Sequence, residues 1–303
     1  METKPEHKHA GLIAGIIAYV MWGFFPVYFK ITGETSPLEI LAHRVVWGLP
    51  FAGLIILLRK QWALVWQILT NPKTLTALTF AGIVIAFNWG LYIWAIQQNQ
   101  IFQASLGYYI NPLMFVLVGV ISFGEKLSRL QLAAVALAVI GVLILTIYGG
   151  QFPWIALCLA VSFTAYGVIR KSTVVGAMPG LFVELMVLFL PALAFLIWLY
   201  MQGEMVFLKN GLGFDSLLIL AGPLTVLPLV AFAFAARRLR LSTIGFLQFI
   251  GPSLQFLMGV LYGEKLTTGV FLCFAFIWTA AAVFAWDAAR VHIKNKSRTP
   301  DAS

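Results

Sequence analysis

Two basic side chains and one acid fall inside long apolar runs, where an ionised group is costly and normally meets a cavity or a partner. His43 and Arg44 share the run Leu41-Ala42-His43-Arg44-Val45-Val46-Trp47, and Glu184 stands alone among apolar neighbours. Arg44 has two readings: a long chain snorkelling to lipid headgroups, or a cavity-facing charge that attracts an anionic or polar substrate group. Glu184 is open between a cavity and the interface. The amides Asn88, Asn111, Gln248 and Gln255 sit at the same kind of depth, where each must find a neighbouring helix, a backbone carbonyl or a wet cavity. Ser105, Gly107, Tyr108, Asn111 and Pro112 group on one segment. Proline removes a backbone hydrogen bond and exposes carbonyls, so a broken helix rich in polar groups is expected there. Gln248, Gly251 and Pro252 repeat the device, and Pro112, Gly251 and Pro252 are the expected gating positions. Of the tryptophans inside apolar runs, Trp22 and Trp89 are expected to offer indole faces to a flat or apolar substrate. Trp62, Trp66 and Trp154 fit interfacial belts.

These groups bind more readily than they catalyse. The three aspartates, Asp215, Asp287 and Asp301, fall at the ends of apolar runs or in tails, and His7, His9 and His292 are terminal. HExxH and GxSG-type signals are absent, which leaves an intramembrane enzyme a weak alternative. Cys158 and Cys273 lie in apolar segments without metal-ligand spacing, so no metal and no cofactor is implied. No phosphate-binding loop is present; any transport must draw on a proton or solute gradient, with His43 and Glu184 as the buried groups able to carry protons. A receptor or scaffold without transport is the other alternative.

What positions these residues is a membrane. Of 303 residues, 61% are hydrophobic and 10% charged, with a mean hydropathy of +0.93; soluble domains carry about 25% charged residues. The net charge of +9 does not point to nucleic acid, because the basic residues sit between apolar runs and not on one arm. Cutting the chain where charges or Pro/Gly/Asn clusters interrupt runs of about 20 residues gives ten spans: 11–30, 37–58, 74–97, 102–123, 130–148, 152–170, 179–201, 215–236, 242–261 and 268–287. With the N-terminus inside, sixteen lysines and arginines face the cytoplasm and three, Lys30, Lys209 and Lys265, face away. This bias sets both termini in the cytoplasm.

The halves also repeat. Trp94-Ala95 returns as Phe234-Ala235 and Asn111-Pro112-Leu113 as Gly251-Pro252-Ser253, both at an offset of 140; Gly124-Glu125-Lys126-Leu127 returns as Gly263-Glu264-Lys265-Leu266 at 139. Five spans is an odd number, so the second unit is inverted relative to the first. The expected organisation is a cytoplasmic tail over 1–10, a five-helix repeat over 11–148, a second over 151–287 and a basic tail over 288–303. In this arrangement Arg44 and Glu184 approach opposite faces of the bilayer, and no direct ion pair between them is expected.

Four runs carry a family resemblance: His43-Arg44-Val45-Val46-Trp47, Asn88 to Ala95, Ala104 to Leu113, and Arg238-Leu239-Arg240-Leu241-Ser242-Thr243 with Gln248-Phe249-Ile250-Gly251-Pro252. With them the chain resembles the drug/metabolite transporter superfamily, with its ten helices and paired EamA-type repeats, and within it the bacterial RarD proteins. The resemblance implies a multi-pass permease of the bacterial inner membrane, with a central cavity formed by spans one to four and six to nine, and spans five and ten at the periphery. Its partners would be a small-molecule substrate and membrane lipids, and a homodimer is left open. RarD proteins carry a chloramphenicol-sensitivity label, which names a phenotype and not a substrate.

Overall fold

The structure, a computed structural model, describes residues 5–123, 127–239 and 241–296. Gly124, Glu125, Lys126 and Arg240 lie outside the described residues. The described chain is all helical: α1 (Pro5–Gly23), α2 (Phe25–Ile31), α3 (Pro37–Leu58), α4 (Trp62–Leu69), α5 (Pro72–Gln97), α6 (Ile101–Phe123), α7 (Arg129–Ile147), α8 (Trp154–Ser172), α9 (Ala177–Gln202), α10 (Leu212–Ala236), α11 (Leu241–Leu247), α12 (Ile250–Leu261) and α13 (Thr268–Lys296). Among the described residues nine stretches are long and apolar enough to cross a membrane, and α12 is a shorter apolar helix. Joined end to end with α11, it completes a tenth crossing.

Local chemistry starts and stops these helices. Ser36 Oγ accepts from Glu39 N at 3.2 Å and Asn71 Oδ1 from Thr74 N at 3.1 Å, each just before a proline at the first helical position, where proline lacks an N–H that would have no partner anyway. Ser128 and Gln131 form a reciprocal capping box at the head of α7. Gly203 closes α9 in the left-handed region, at φ 73°.

The breaks differ from expectation. The first span, anticipated as one helix, is divided at Phe24, and the ninth at Gln248 and Phe249. In both cases the break puts a proline, Pro26 or Pro252, in the first turn of the next segment, where its missing N–H costs nothing. Pro112, by contrast, does not break its helix: α6 runs unbroken from Ile101 to Phe123. It is packed between α8 and α12 and tied to the latter by Ser105 Oγ donating to Pro252 O at 2.8 Å and by Tyr109 Oη and Ser253 Oγ at 2.6 Å. The break expected at Pro112 is therefore corrected to an unbroken helix, and the partner of the broken ninth span is the first. Helix also extends into both tails, from Pro5 and to Lys296. The segment from Arg59 to Lys73 holds α4, whose Val65 and Ile68 are buried while Trp62 and Trp66 are exposed, the pattern of an interfacial helix.

Helix packing follows a two-fold exchange. α3 packs on α9, α6 on α12 and α7 on α13; the contact of α1 with α10 is answered by α8 with α5, that of α6 with α8 by α12 with α1, and that of α3 with α10 by α9 with α5. Swapping each first-half helix for its second-half counterpart reproduces the set, as an inverted repeat demands. α7 and α13 pack chiefly on each other through small residues, Ala134, Ala138, Gly141 and Ala280, and take no part in the cluster described next.

Candidate functional site

Arg44 projects from the second turn of α3 and is only 4% exposed. Its Nε donates to Thr225 Oγ1 of α10 at 3.0 Å, and Thr225 in turn donates to Ala221 O at 2.8 Å. The guanidinium carbon lies 4.4 Å from the centre of the Trp89 ring and 5.7 Å from each of the Phe25 and Phe29 rings, distances at which an aromatic face attracts a cation. The phenols of Tyr108, Tyr28 and Tyr92 lie within reach of its charge. Tyr92 packs edge-on against Phe29 and Tyr108, at 5.9 and 5.5 Å. The result is an aromatic box drawn from α2, α5 and α6, with one cation supplied by α3 and held by α10.

That cation is not neutralised. Among the described residues Glu184 pairs with Arg170 and Glu39 lies beside His43; neither carboxylate reaches Arg44. Its Nε bond to Thr225 is the hydrogen bond it makes among the described residues, which leaves Nη1 and Nη2 without a protein acceptor there. Tyr92 Oη is buried with no partner, an expensive condition for a hydroxyl. Trp22, Tyr28, Leu41 and Tyr108, half-buried, pack against the same core. Trp22 continues the wall through Tyr19 and Phe232, at 5.3 and 5.9 Å.

The other residues singled out in the sequence scatter. His43 is 1% exposed and turns the other way: its Nδ1 accepts from Trp47 Nε1 at 3.1 Å, its Nε2 lies 3.8 Å from Glu39 Oε1 and its ring rests on Phe207. Glu39 Oε1 accepts from Val206 N and Phe207 N at 2.9 and 3.2 Å, so His43 belongs to the seat of the 203–211 loop. Asn88 Nδ2 donates to Leu159 O and Ser162 Oγ at 3.0 and 2.9 Å, tying α5 to α8. Gln255 Nε2 donates to Trp22 O at 3.1 Å, tying α12 to α1. Asn111 is buried with its Oδ1 unpartnered, and Gln248 lies in the break between α11 and α12. Gly251 faces the backbone of Tyr19.

Glu184 forms a second, separate cluster. Its Oε2 accepts from Tyr166 Oη at 3.2 Å and its Oε1 lies 3.5 Å from Arg170 Nη1. Gly180, one turn earlier on α9, leaves the space that the Arg170 guanidinium fills. Arg170, at the end of α8, folds back over α9.

Of the candidates, then, the structure gathers Arg44, Trp89 and Tyr108, with Trp22 on the adjoining wall. It adds Phe25, Phe29, Tyr28, Tyr92 and Thr225, which look in sequence like ordinary membrane bulk. A cleft of about 420 Å³ lies elsewhere, at the rim between α6, α12 and α13, lined by Gln103, Tyr262, Glu264 and Phe274; it does not reach Arg44.

Comparison with known proteins adds three findings. Residues 9–147 match the EamA-like transporter family. The chain is 41% identical to Protein RarD of Streptomyces exfoliatus, covering 100% of this chain and 96% of that protein, and 43% identical to an uncharacterized transporter of Vibrio cholerae serotype O1, covering 98% and 100%. A crystal structure that is 20% identical shares the fold with a TM-score of 0.59, over 93% of this chain and 99% of that one.

Proposed function

Since the chain belongs to the RarD family of EamA-like transporters, we propose that it is a secondary-active permease that carries a small organic metabolite or drug across the bacterial inner membrane by alternating access. The observation that carries the reading is the Arg44 fork. It is a buried guanidinium with no carboxylate partner among the described residues, enclosed by aromatic rings, at a place where elements of both halves meet. A charge kept there at such cost serves a solute that comes and goes better than it serves packing.

In this reading the halves rock about that point. The breaks at Phe24 and at Gln248-Phe249 give the first and ninth spans places to bend, with Gly251 and Pro252 at the second of them. The lysine and arginine bias supports an orientation with both termini in the cytoplasm. A proton or solute gradient supplies the energy, with Glu184 the acid placed to carry a proton; transport that ignores an imposed pH gradient would remove that coupling.

Everted membrane vesicles containing the chain, offered a small-molecule extract of the host cells, test the proposal. Mass spectrometry should find at least one solute accumulated or depleted relative to vesicles lacking the chain. If no solute differs in either vesicle orientation, the permease reading fails.

A further inference from the structure

Resting on the permease reading, we infer that the solute is a monocarboxylate with a flat or apolar body, its carboxylate held by the Arg44 fork and the Tyr92 hydroxyl, its body against Trp89, Phe25 and Phe29. The charge sign comes first. The helices that build the box carry, among their described side chains, two carboxylates, Glu39 and Asp215. Both are engaged: Glu39 with the Val206 and Phe207 amides, and Asp215 with Leu208 N at 2.7 Å. Nothing there would welcome a second cation beside Arg44, whereas an anion would meet an uncompensated charge in a medium of low dielectric.

Geometry selects among anions. A guanidinium presents paired N–H donors that match the two oxygens of a carboxylate, and Nε is already committed to Thr225, which leaves the Nη pair to face the ligand. Tyr92 Oη, buried and unpartnered, supplies a further donor whose desolvation is otherwise unrewarded. One cation neutralises one charge. A phosphate monoester, carrying about −1.5 to −2 at pH 7, would leave the excess buried, and a dicarboxylate would do the same. The remaining walls are rings, which favour an aromatic or otherwise apolar body over a hydroxylated one.

The test uses matched pairs that differ in charge and hardly in shape: benzoate and benzamide, phenylacetate and phenylacetamide, indole-3-acetate and indole-3-acetamide. Each is titrated into the purified full chain in phosphatidylcholine nanodiscs, followed by thermal unfolding and by tryptophan fluorescence, since a ligand of the native state raises its apparent stability. At least one acid should raise the unfolding temperature saturably while its amide does not. Arg44→Gln should abolish that response, and Tyr92→Phe, which keeps the ring, should weaken it about tenfold, so the inference stays testable if the arginine variant fails to fold. Amides that match their acids, silence from all six compounds, or a response intact in both variants would overturn it. If solutes still move in the vesicle assay after such a result, only the substrate class is lost; if none moves, the permease reading falls with it.

Discussion

Arg44 and Glu184 occupy equivalent positions in the two halves, 140 residues apart on helices that begin at Pro37 and Ala177, and they meet opposite fates. Glu184 is closed in by Arg170 and Tyr166 of its own half, whereas Arg44 has rings around it and no counter-charge among the described residues. The repeat thus places a charge at one point of its design twice. One copy sits beside an arginine of its own half and the other has no carboxylate beside it among the described residues.

The two copies should answer mutation differently. Removing an unpaired buried charge relieves a desolvation cost, so Arg44→Ala should abolish transport while the folded protein persists with little loss of apparent unfolding temperature. Removing Arg170 strands Glu184, and breaking a buried pair from one side costs about 3 kcal/mol or more; Arg170→Gln should therefore unfold at a clearly lower temperature. Unchanged transport in Arg44→Ala, or equal stability in the two variants, would contradict this account.

Much of this fold was legible because the membrane imposes it. Runs of about 20 apolar residues and the lysine and arginine bias suffice to find crossings, and Pro37 to Leu58 coincides with its helix. The failures share a cause. Proline marks strain without saying whether the helix runs on through it, so Pro112, inside an unbroken α6, and Pro252, in a first turn, look alike in sequence. The candidate site was half legible. Arg44 announces itself by charge, but Tyr28, Tyr92 and Phe29 differ from other membrane aromatics only in facing it, and a facing is a property of several helices at once.

The contact of α3 with α10 turns on Gly222. A Cβ there would run into the Trp47 backbone, while one at Gly82, its counterpart 140 residues earlier, would meet Glu184 at an ordinary 3.5 to 3.6 Å. Gly222→Ala must push α10 away from the helix that carries Arg44, at about 1–3 kcal/mol, and should reduce transport as Thr225 withdraws. Gly82→Ala should be close to wild type. Equal thermal shifts for the two would show that the helices do not approach as described.

On the side of the membrane opposite the termini, Glu264 of the second Gly-Glu-Lys reaches across to α6, where it accepts from Phe102 N at 2.8 Å and from Ile101 N. Burial pushes its carboxyl above the usual range, and the Phe102 and Ile101 amides and Lys30 pull it partly back. A carboxyl raised in the folded state gives stability that is fully present below its unfolded value and is lost as pH rises through the folded one. Wild type should therefore lose apparent stability relative to Glu264→Gln as pH rises from about 4 to neutrality. A difference between the two that stays constant with pH, or runs the other way, would reject the assignment.

Asn88 separates a tie between helices from a contact with substrate. It is fully buried and spends both amide hydrogens on α8, on Leu159 O and on Ser162 Oγ, whose own proton goes to Cys158 O. Asn88→Ala removes both donors that α5 offers to α8, leaving the buried Ser162 Oγ with nothing to accept from, and should cost about 1–3 kcal/mol. Asn88→Asp is nearly isosteric but sets an oxygen against two acceptors, so it should be worse still, although aspartate is the smaller change in volume. Thermal unfolding of both variants in detergent checks the order. If Asn88→Ala keeps its stability and loses transport, the amide belongs to the solute and not to the α5–α8 seam.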